Sequence, residues 1–286
     1  METYSYEKII HENQIPALIA VLDGSSVVNR EQITTFIPAH WHRSVEIALI
    51  ENAESILKVG MKETLIKDDF TCINSGEVHS VRAQSITDQS HCIILVLSYE
   101  FIKSYCPDID EIYFDLSLKP DHDDLKKLYY HLEELFLNQS KYTYLEINAC
   151  LIEILHLLLT EYQGQRIGSE SLKKNQELMR EILTYIHENY QEDLKLSIIA
   201  DNFHICHEYF SRQFHHYIGE TFRDYVSSYR LYRAYGDIVN TNQTIYAIAT
   251  KHGFANVKSL IRVFKNTYQE TPLQYRLQRQ LNSIEK

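Results

Sequence analysis

The chain has 286 residues, of which 44% are hydrophobic and 23% charged, so its composition is that of an ordinary folded protein with room for roughly two domains. Its five cysteines are too scattered for a disulfide framework or a C-x-x-C metal pair, and the formal charge of −11 argues at first against a nucleic-acid partner. No apolar run approaches the ~20 residues of a membrane span, and the polar N-terminus does not resemble a signal peptide. We therefore expect a cytoplasmic protein with no membrane partner.

The charge is distributed unevenly along the chain. Residues 1–175 carry 15 basic and 27 acidic side chains, whereas residues 176–286 carry 13 and 12. Such asymmetry indicates that the two parts have different partners.

From about residue 17 to residue 97 the sequence predicts short strands separated by polar or turn-like pieces. Many short strands at this spacing are typical of a small barrel or sandwich. The segments are ALIAVL, ITTFI, VEIALI, SILKV, FTCIN and CIILVL.

One of these segments carries an unusual set of polar side chains. In HWHRSVE, residues His40, His42 and Glu46 stand at alternate positions of an extended chain and would share one face. Histidine and carboxylate are ligands for zinc, iron or manganese, so one hypothesis is a metal site and an enzyme. The other is a ligand pocket lined by the same positions, in which small Ala48 leaves room for a hydroxylated or carboxylated molecule.

After Pro120 the spacing of apolar residues changes to three and four, which predicts amphipathic helices near residues 122–138 and 142–162. We expect both helices to form a dimer seam, in which Leu151 and Leu158 of the second would take part. The alternative is that both apolar stripes pack on the strands. The polar, glycine-containing stretch 164–175 that follows is typical of a linker.

The remainder of the chain contains an internal repeat. Arg212, Phe214, Thr221 and Tyr225 recur 50 residues later as Arg262, Phe264, Thr271 and Tyr275. Each copy predicts a short helix, a tight turn and a longer helix. A pair of packed hairpins is one interpretation, but the charged face of each longer helix favours helix-turn-helix units.

In the second copy the ends of the helices carry recognisable signals. Thr244 and Asn256 are expected N-caps, and Gly253 is expected to end a helix in the left-handed region.

The sequence IYAIATKHGFANVKSLIRVFKNTYQETPLQYR (residues 245–276) resembles the signature of the AraC/XylS family of bacterial transcription regulators. The first copy resembles the family's other helix-turn-helix unit, and HWHRSVE with Gly76 and His79 is similar to its cupin-like sensor. The residues that carry the resemblance are Ile248, Ala249, Gly253, Phe254, Asn256, Arg262, Phe264, Lys265, Pro272, Tyr275 and Arg276, with Ile199, Ala200, Tyr209, Ser211, Arg212, Phe214 and Gly219 in the first copy.

This resemblance implies an α+β multidomain protein with an N-terminal cupin-like β-barrel, following α-helices and a C-terminal all-α domain. The implied parts are an effector-sensing barrel (1–118), a helical dimerisation segment (119–163), a linker (164–175) and a DNA-binding domain with two helix-turn-helix motifs (176–286). A long helix near 221–239 would join the two motifs.

The resemblance also implies the site residues. The DNA-binding residues would be His207, Glu208, Ser211, Arg212, Lys258, Ser259, Ile261, Arg262 and Lys265. The ligand-binding residues would be His40, His42, Glu46 and His79.

Two departures from the family pattern concern the DNA-binding part. Gln269 stands where the family usually has glycine, so its turn must avoid a positive φ or be strained. His215 and His216 replace a pair of lysines, which lowers the positive charge at the end of the first recognition helix.

The implied function is a sequence-specific transcription regulator, with activation as the commoner family behaviour, controlled by a small-molecule effector. The expected partners are double-stranded operator DNA, the effector, RNA polymerase and a second copy of the chain in a homodimer. We expect no catalytic residue, no resident metal and no cofactor. The alternative is a metal-dependent cupin enzyme fused to a DNA-binding module.

Overall fold

Six antiparallel strands form the N-terminal part of the protein, and a computed structural model describes residues 14–24, 36–164 and 170–284. The sheet is built on two long strands, β3 and β6, which pair along their whole length from Val45↔Leu97 to Val59↔His79. The strands are β1 (Ala17–Asp23), β2 (Phe36–His40), β3 (Val45–Val59), β4 (Lys62–Lys67), β5 (Phe70–Ile73) and β6 (His79–Leu97).

The outer strands divide the sheet into two halves. β1 and β5 flank the half where Val45–Glu51 pairs with His91–Leu97, and β2 and β4 flank the other half. The register shifts between Glu51 and Ala53, as at a β-bulge, which bends a strand. Among the described residues the ladder remains open between its outer strands, so the predicted closed barrel is not confirmed.

The odd-numbered face of β3 lies in a core shared with helices, as the alternating pattern predicts. Val45, Ile47 and Leu49 are each at most 2% exposed. The Tyr129 hydroxyl donates a 3.0 Å hydrogen bond to the Ile47 carbonyl and thereby ties a helix to the strand. The elements that follow the sheet are α1 (Tyr99–Tyr105), two 3₁₀ turns (Ile109–Glu111 and Leu116–Leu118), β7 (Tyr113–Phe114), α2 (Asp123–Leu137), α3 (Thr143–Glu161) and β8 (Gln163–Gly164), which pairs with β7.

The apolar stripes of helices α2 and α3 are buried in the core of the molecule. Leu151 and Leu158 are fully buried in the core that includes β3 and β6, so the predicted dimer seam through these leucines is wrong. The alternative, in which both stripes pack on the strands, is the observed one. Within the described ranges, α3 is also the one helix whose length and apolar composition would suit a membrane span, and its stripe is part of this core.

The C-terminal part consists of seven helices in the described residues. The first of them begins at Glu170, so residues 170–175 of the predicted linker are helical, while 165–169 lie outside the described residues. The helices are α4 (Glu170–Asn189), α5 (Leu196–Asn202), α6 (His207–Ile218), α7 (Phe222–Asn240), α8 (Ile245–Lys251), α9 (Val257–Tyr268) and α10 (Pro272–Ile284). The predicted long helix near 221–239 is therefore confirmed as α7.

Two caps in the second repeat are those that the sequence predicts. Thr244 Oγ1 accepts a hydrogen bond from the Ala247 amide at 3.1 Å, and Asn256 Oδ1 accepts one from the Ser259 amide at 2.9 Å. Gly253 lies in the left-handed region with φ of 71°. An added Cβ there would clash with the Gln191 carbonyl oxygen, so glycine is required at this turn.

Gln269 keeps the conformation that glycine adopts in the first repeat. Its φ is 61°, and Gly219, fifty residues earlier, has a φ of 90°. The turn therefore does not avoid a positive φ, and a side chain with a Cβ carries a strain of roughly 1–2 kcal/mol in that region.

Candidate nucleic-acid interface and ligand site

Helices α6 and α9 each bury one face and expose the other. Phe210 and Phe214 of α6 are fully buried in the core of the first repeat, and Leu260 and Phe264 of α9 are fully buried in that of the second. The opposite faces carry the predicted DNA-binding residues. Those that are exposed are His207, Glu208, Ser211, Arg212, Lys258, Arg262 and Lys265, and those that are half-buried are Ser259 and Ile261.

The basic side chains of these faces are available for an external partner. Within the described residues, no ion pair is formed by Arg212, Lys258, Arg262 or Lys265. Arginines at equivalent positions of two repeated helices are suited to bidentate contacts with guanine in a major groove.

Two of the predicted DNA-binding residues have partners inside the protein. The Ser259 hydroxyl donates to Asn256 Oδ1 at 3.1 Å and so belongs to the cap of α9. His207 Nε2 lies 3.6 Å from Asp201 Oδ1 of the preceding helix. Tyr209 donates a long 3.5 Å hydrogen bond to Asn175 Oδ1, so its hydroxyl is also engaged within the domain.

Some arginines that could have been assigned to DNA hold the domain together instead. Arg276 donates from Nε to the Ile238 carbonyl at 2.7 Å and from Nη1 to the Gln243 carbonyl at 2.8 Å. Arg230 donates from Nε to the Tyr190 carbonyl at 2.7 Å. Sequence reasoning assigned neither role, because the carbonyls lie more than 30 residues away.

Residues 199–278 match a family described as "Helix-turn-helix domain", which spans both repeats. The chain carries a helix-turn-helix domain of the AraC type. An uncharacterized HTH-type transcriptional regulator of Staphylococcus aureus (strain COL) is 25% identical over 245 residues, covering 75% of this chain and 33% of that protein. The chain thus spans about a third of the length of the first such relatives.

A second relative and a solved structure match over most of their length. The uncharacterized HTH-type transcriptional regulator YdeC of Bacillus subtilis is 23% identical over 267 residues, covering 86% of this chain and 88% of that protein. The crystal structure of an apo ToxT variant from Vibrio cholerae aligns with a TM-score of 0.51 at 15% identity, covering 94% of this chain and 99% of that one. At this identity the likeness shows the fold, a strand-rich N-terminal part followed by the AraC-type helices.

The structure also brings together the four residues predicted for the sensor. One ligand atom from each of His40, His42, Glu46 and His79 lies within 4.8 Å of the others. Glu46 Oε2 is 3.3 Å from His42 Nε2 and 3.7 Å from His79 Nε2. His40 and His79 face each other in the pairing of β2 with β6, with ring centroids 4.1 Å apart.

Burial and mutual contacts set the ionisation of this cluster. Burial lowers the pKa of His40 well below its usual value, assisted by the neighbouring His79 and His42, so this imidazole is neutral at pH 7. Burial alone would raise the pKa of Glu46, but the neighbouring His42 and His79 outweigh it and lower the pKa overall, so the carboxylate is ionised.

A cavity of about 130 Å³ lies on the even-numbered face of β3, between the two halves of the sheet. Glu46 and Ala48 line it together with mostly apolar side chains, among them Leu22, Ile50, Leu57, Val81 and Ile94. Its volume is close to that of a cavity that accepts benzene. Of the four predicted ligand-binding residues, only Glu46 lines this cavity, so the three histidines do not surround a common pocket with Ala48 as predicted.

The cluster of His40, His42, Glu46 and His79 is next to the DNA-binding domain, which the sequence did not predict. The Tyr225 hydroxyl of α7 donates to the Ala39 carbonyl of β2. The Trp41 indole nitrogen donates to the Arg180 carbonyl at 3.1 Å and to Thr184 Oγ1 at 3.2 Å, both on α4. Ala39 is part of the core of the first repeat, so β2 is shared between the two parts of the molecule.

Proposed function

We propose that this protein is a sequence-specific, DNA-binding transcription regulator that answers to a small-molecule effector in its N-terminal part. The proposal of DNA binding rests on the repeated recognition helix, in which Arg212 and Arg262 are exposed at equivalent positions on α6 and α9. The relatives named as transcriptional regulators support the same proposal.

DNA recognition would use both repeats on one face of the duplex. An α-helix fits the major groove, where arginine can grip guanine, Glu208 can accept from cytosine and Ile261 can contact a thymine methyl group. The 19 residues of α7 between the repeats span roughly 28 Å, which suits two insertions about one helical turn of DNA apart.

The effector would occupy the cavity beside Glu46. Since the lining is mostly apolar, a compact molecule that is apolar except for one polar end fits best, which narrows the hydroxylated or carboxylated molecule expected from the sequence. Closing on such a molecule would change the contact between β2 and the DNA-binding domain. We further propose a cytoplasmic homodimer that acts on RNA polymerase as an activator, with the exposed apolar side chains Leu145 and Ile152 of α3 in the dimer interface.

Selection of duplexes from a random library by the purified full-length protein tests the DNA-binding half. We expect enrichment of a site with two blocks about ten base pairs apart, and binding that weakens steeply as salt rises, because phosphate contacts release counterions. Failure to enrich any sequence, with and without a compound library, contradicts the proposal.

A further inference from the structure

We propose that His40, His42, Glu46 and His79 bind one divalent transition-metal ion, and that this ion fixes strand β2 against the DNA-binding domain. The claim that these residues bind an ion does not depend on the proposed regulatory function. The claim that the ion affects DNA binding rests on that function. The proposal replaces the expectation from the sequence that this cluster holds no metal.

The hydrogen bonds of the three histidines support a metal site directly. Each ring directs Nδ1 to a backbone carbonyl two residues away: His40 to Pro38 at 2.9 Å, His42 to Ser44 at 3.0 Å and His79 to Glu77 at 3.0 Å. A carbonyl can only accept, so every Nδ1 carries a proton, and Nε2 is the nitrogen of each ring that can present a lone pair to an ion that takes the place of any proton held there. Protein ligands of metals are held in this way, with the second ring nitrogen anchored on a carbonyl or carboxylate.

The spacing of the ligand atoms suits a single ion. Bonds of about 2.0–2.1 Å in a tetrahedral site place neighbouring ligand atoms roughly 3.4 Å apart. The separations of Glu46 Oε2 from His42 Nε2 and His79 Nε2 are 3.3 and 3.7 Å, and all four ligand atoms lie within 4.8 Å. Three imidazoles and a carboxylate favour zinc, iron or manganese over calcium and magnesium.

The enclosure of the cluster favours an ion over an organic molecule. The His79 side chain is fully buried and that of His42 is 5% exposed. His79 Nε2 has no hydrogen-bond partner within the part of the chain that the structure describes. An ion fits between such closely spaced atoms, whereas an organic effector would have to separate them, and the cavity beyond Glu46 already provides space for one.

The coupling to DNA binding follows from the alternation of side chains along β2 and the residues after it. His40 and His42 point to the cluster, while the alternate residues Ala39 and Trp41 contact the DNA-binding domain. The Ala39 carbonyl accepts from Tyr225, and the Trp41 indole donates to α4. Gly76, whose amide donates to the His42 carbonyl, also lies against the Arg180 guanidinium of α4. An ion that fixes the two histidines therefore fixes the surface on which the DNA-binding domain rests.

The test uses full-length protein stripped with a chelator and titrated with Zn²⁺, Mn²⁺ and, without oxygen, Fe²⁺, with Mg²⁺ as the comparison. We expect one ion per chain by calorimetry and elemental analysis, and weaker binding by at least tenfold in Glu46→Gln and His79→Ala. His156→Ala, which removes an exposed imidazole of α3, should bind as the parent does. Circular dichroism identifies a variant that fails to fold. If His79→Ala does so, the ion affinity of the near-isosteric Glu46→Gln decides whether the metal site exists. No binding tighter than about 10 μM by any of the three ions, or equal binding by all variants, overturns the metal site.

Trp41 is the chain's sole tryptophan and reports the coupling without any assay of function. We expect its emission to change on metal binding in the parent, and to change only at ion concentrations at least tenfold higher in Glu46→Gln. Affinity for a duplex selected by the metal-free protein should change at least fivefold with the ion. If one ion binds but neither the Trp41 emission nor the duplex affinity changes, the metal site stands and the coupling is overturned. If neither the metal-free nor the metal-bound protein selects a duplex, the proposed regulatory function fails. The emission of Trp41 then still shows whether the ion alters the contact between β2 and α4.

Discussion

The hydroxyl of Tyr225 in α7 donates a hydrogen bond to the carbonyl of Ala39 in β2, although the two residues are 186 positions apart. Both residues are buried, and His187 Nε2 lies 2.7 Å from the same hydroxyl. Burial lowers the pKa of His187 to about 3, so this ring is neutral. Because the hydroxyl proton goes to Ala39, His187 Nε2 carries the ring proton and donates to the hydroxyl oxygen. The pair is thus a fixed point of contact between the N-terminal part and the DNA-binding domain.

Removing this hydroxyl should loosen the two parts from each other. Tyr225→Phe leaves the Ala39 carbonyl buried without its donor, which costs about 1–3 kcal/mol. We expect faster amide exchange in β2 and an altered response to effector. The repeat provides a matched control in Tyr275→Phe, since the Tyr275 hydroxyl contacts Tyr235 at 3.0 Å inside the second repeat. Equal exchange of β2 in the two variants would show that the contact does not join the parts.

The DNA-binding assignment predicts similar losses in both repeats. Arg212→Ala and Arg262→Ala should each weaken binding to the selected duplex by about 1–3 kcal/mol, with a smaller effect on random DNA. Fluorescence anisotropy at two salt concentrations measures the affinity of each variant for the selected duplex and for random DNA. Lys127→Ala, an exposed cation of α2 in the N-terminal part, is the control and should bind as the parent does. Parent-like affinity in both arginine variants would rule out this face.

The proposed dimer interface can be separated from the core by comparing neighbouring positions on α3. Leu145 is 56% exposed and Ile152 is 39% exposed, and their spacing of seven places them on one side of the helix. Replacing both with glutamate should yield a folded monomer in sedimentation. Leu151→Glu should unfold the N-terminal part instead, because the side chain is fully buried. A double glutamate variant that remains dimeric excludes this surface.

The sequence predicts those features that depend on residues close together in the chain. Alternation brings His40, His42 and Glu46 to one centre, and the caps at Thr244 and Asn256 need only the next three residues. The apolar stripe of α3 likewise shows that Leu151 is buried. The stripe does not show which surface Leu151 packs against. The predicted dimer seam was wrong for this reason, because the leucine lies in the core with β3 and β6.

Features that join distant parts of the chain are not predictable in this way. The docking of β2 on α7 and α4 has no local pattern, because a carbonyl that accepts from a tyrosine leaves no trace in the sequence around it. The open sheet is a similar case, since the strands have the length and spacing of a barrel and only their pairing distinguishes the two.

The strained turn at Gln269 predicts a stabilising substitution. Gln269→Gly removes the cost of a Cβ at φ 61°, offset in part by the greater freedom of glycine in the unfolded chain. We expect a net gain of about 0.5–1 kcal/mol in urea unfolding. The reverse change at the equivalent position, Gly219→Gln, should destabilise the protein, since φ is 90° there and a Cβ would displace the Lys58 ammonium group. A loss of stability in Gln269→Gly would mean that the glutamine side chain contributes more than the strain costs.

Glu220, beside the boundary between the two parts, predicts a dependence of stability on pH. Burial raises its pKa to about 7 from an ordinary 4.5, opposed by Arg82, Lys58 and the Ser228 hydroxyl and reinforced by Asp224. Glu63 shares the same pocket. Below pH 4.5 the carboxyl is protonated in both the folded and the unfolded chain, so its ionisation does not change the free energy of unfolding. Between pH 4.5 and about 7 only the unfolded chain ionises, so this group lowers the stability of the folded state as pH rises.

Replacement of this carboxyl by its amide should therefore have an effect that grows with pH. Glu220→Gln should match the parent near pH 4.5 and exceed it by about 2 kcal/mol at pH 8, where the folded parent holds a partly buried carboxylate. Urea unfolding at both pH values measures the difference, and Glu188→Gln, at an exposed position of α4, is the control. A gap between Glu220→Gln and the parent that is constant from pH 4.5 to 8 would show that Arg82 and Lys58 keep Glu220 ionised, and that burial does not control its proton.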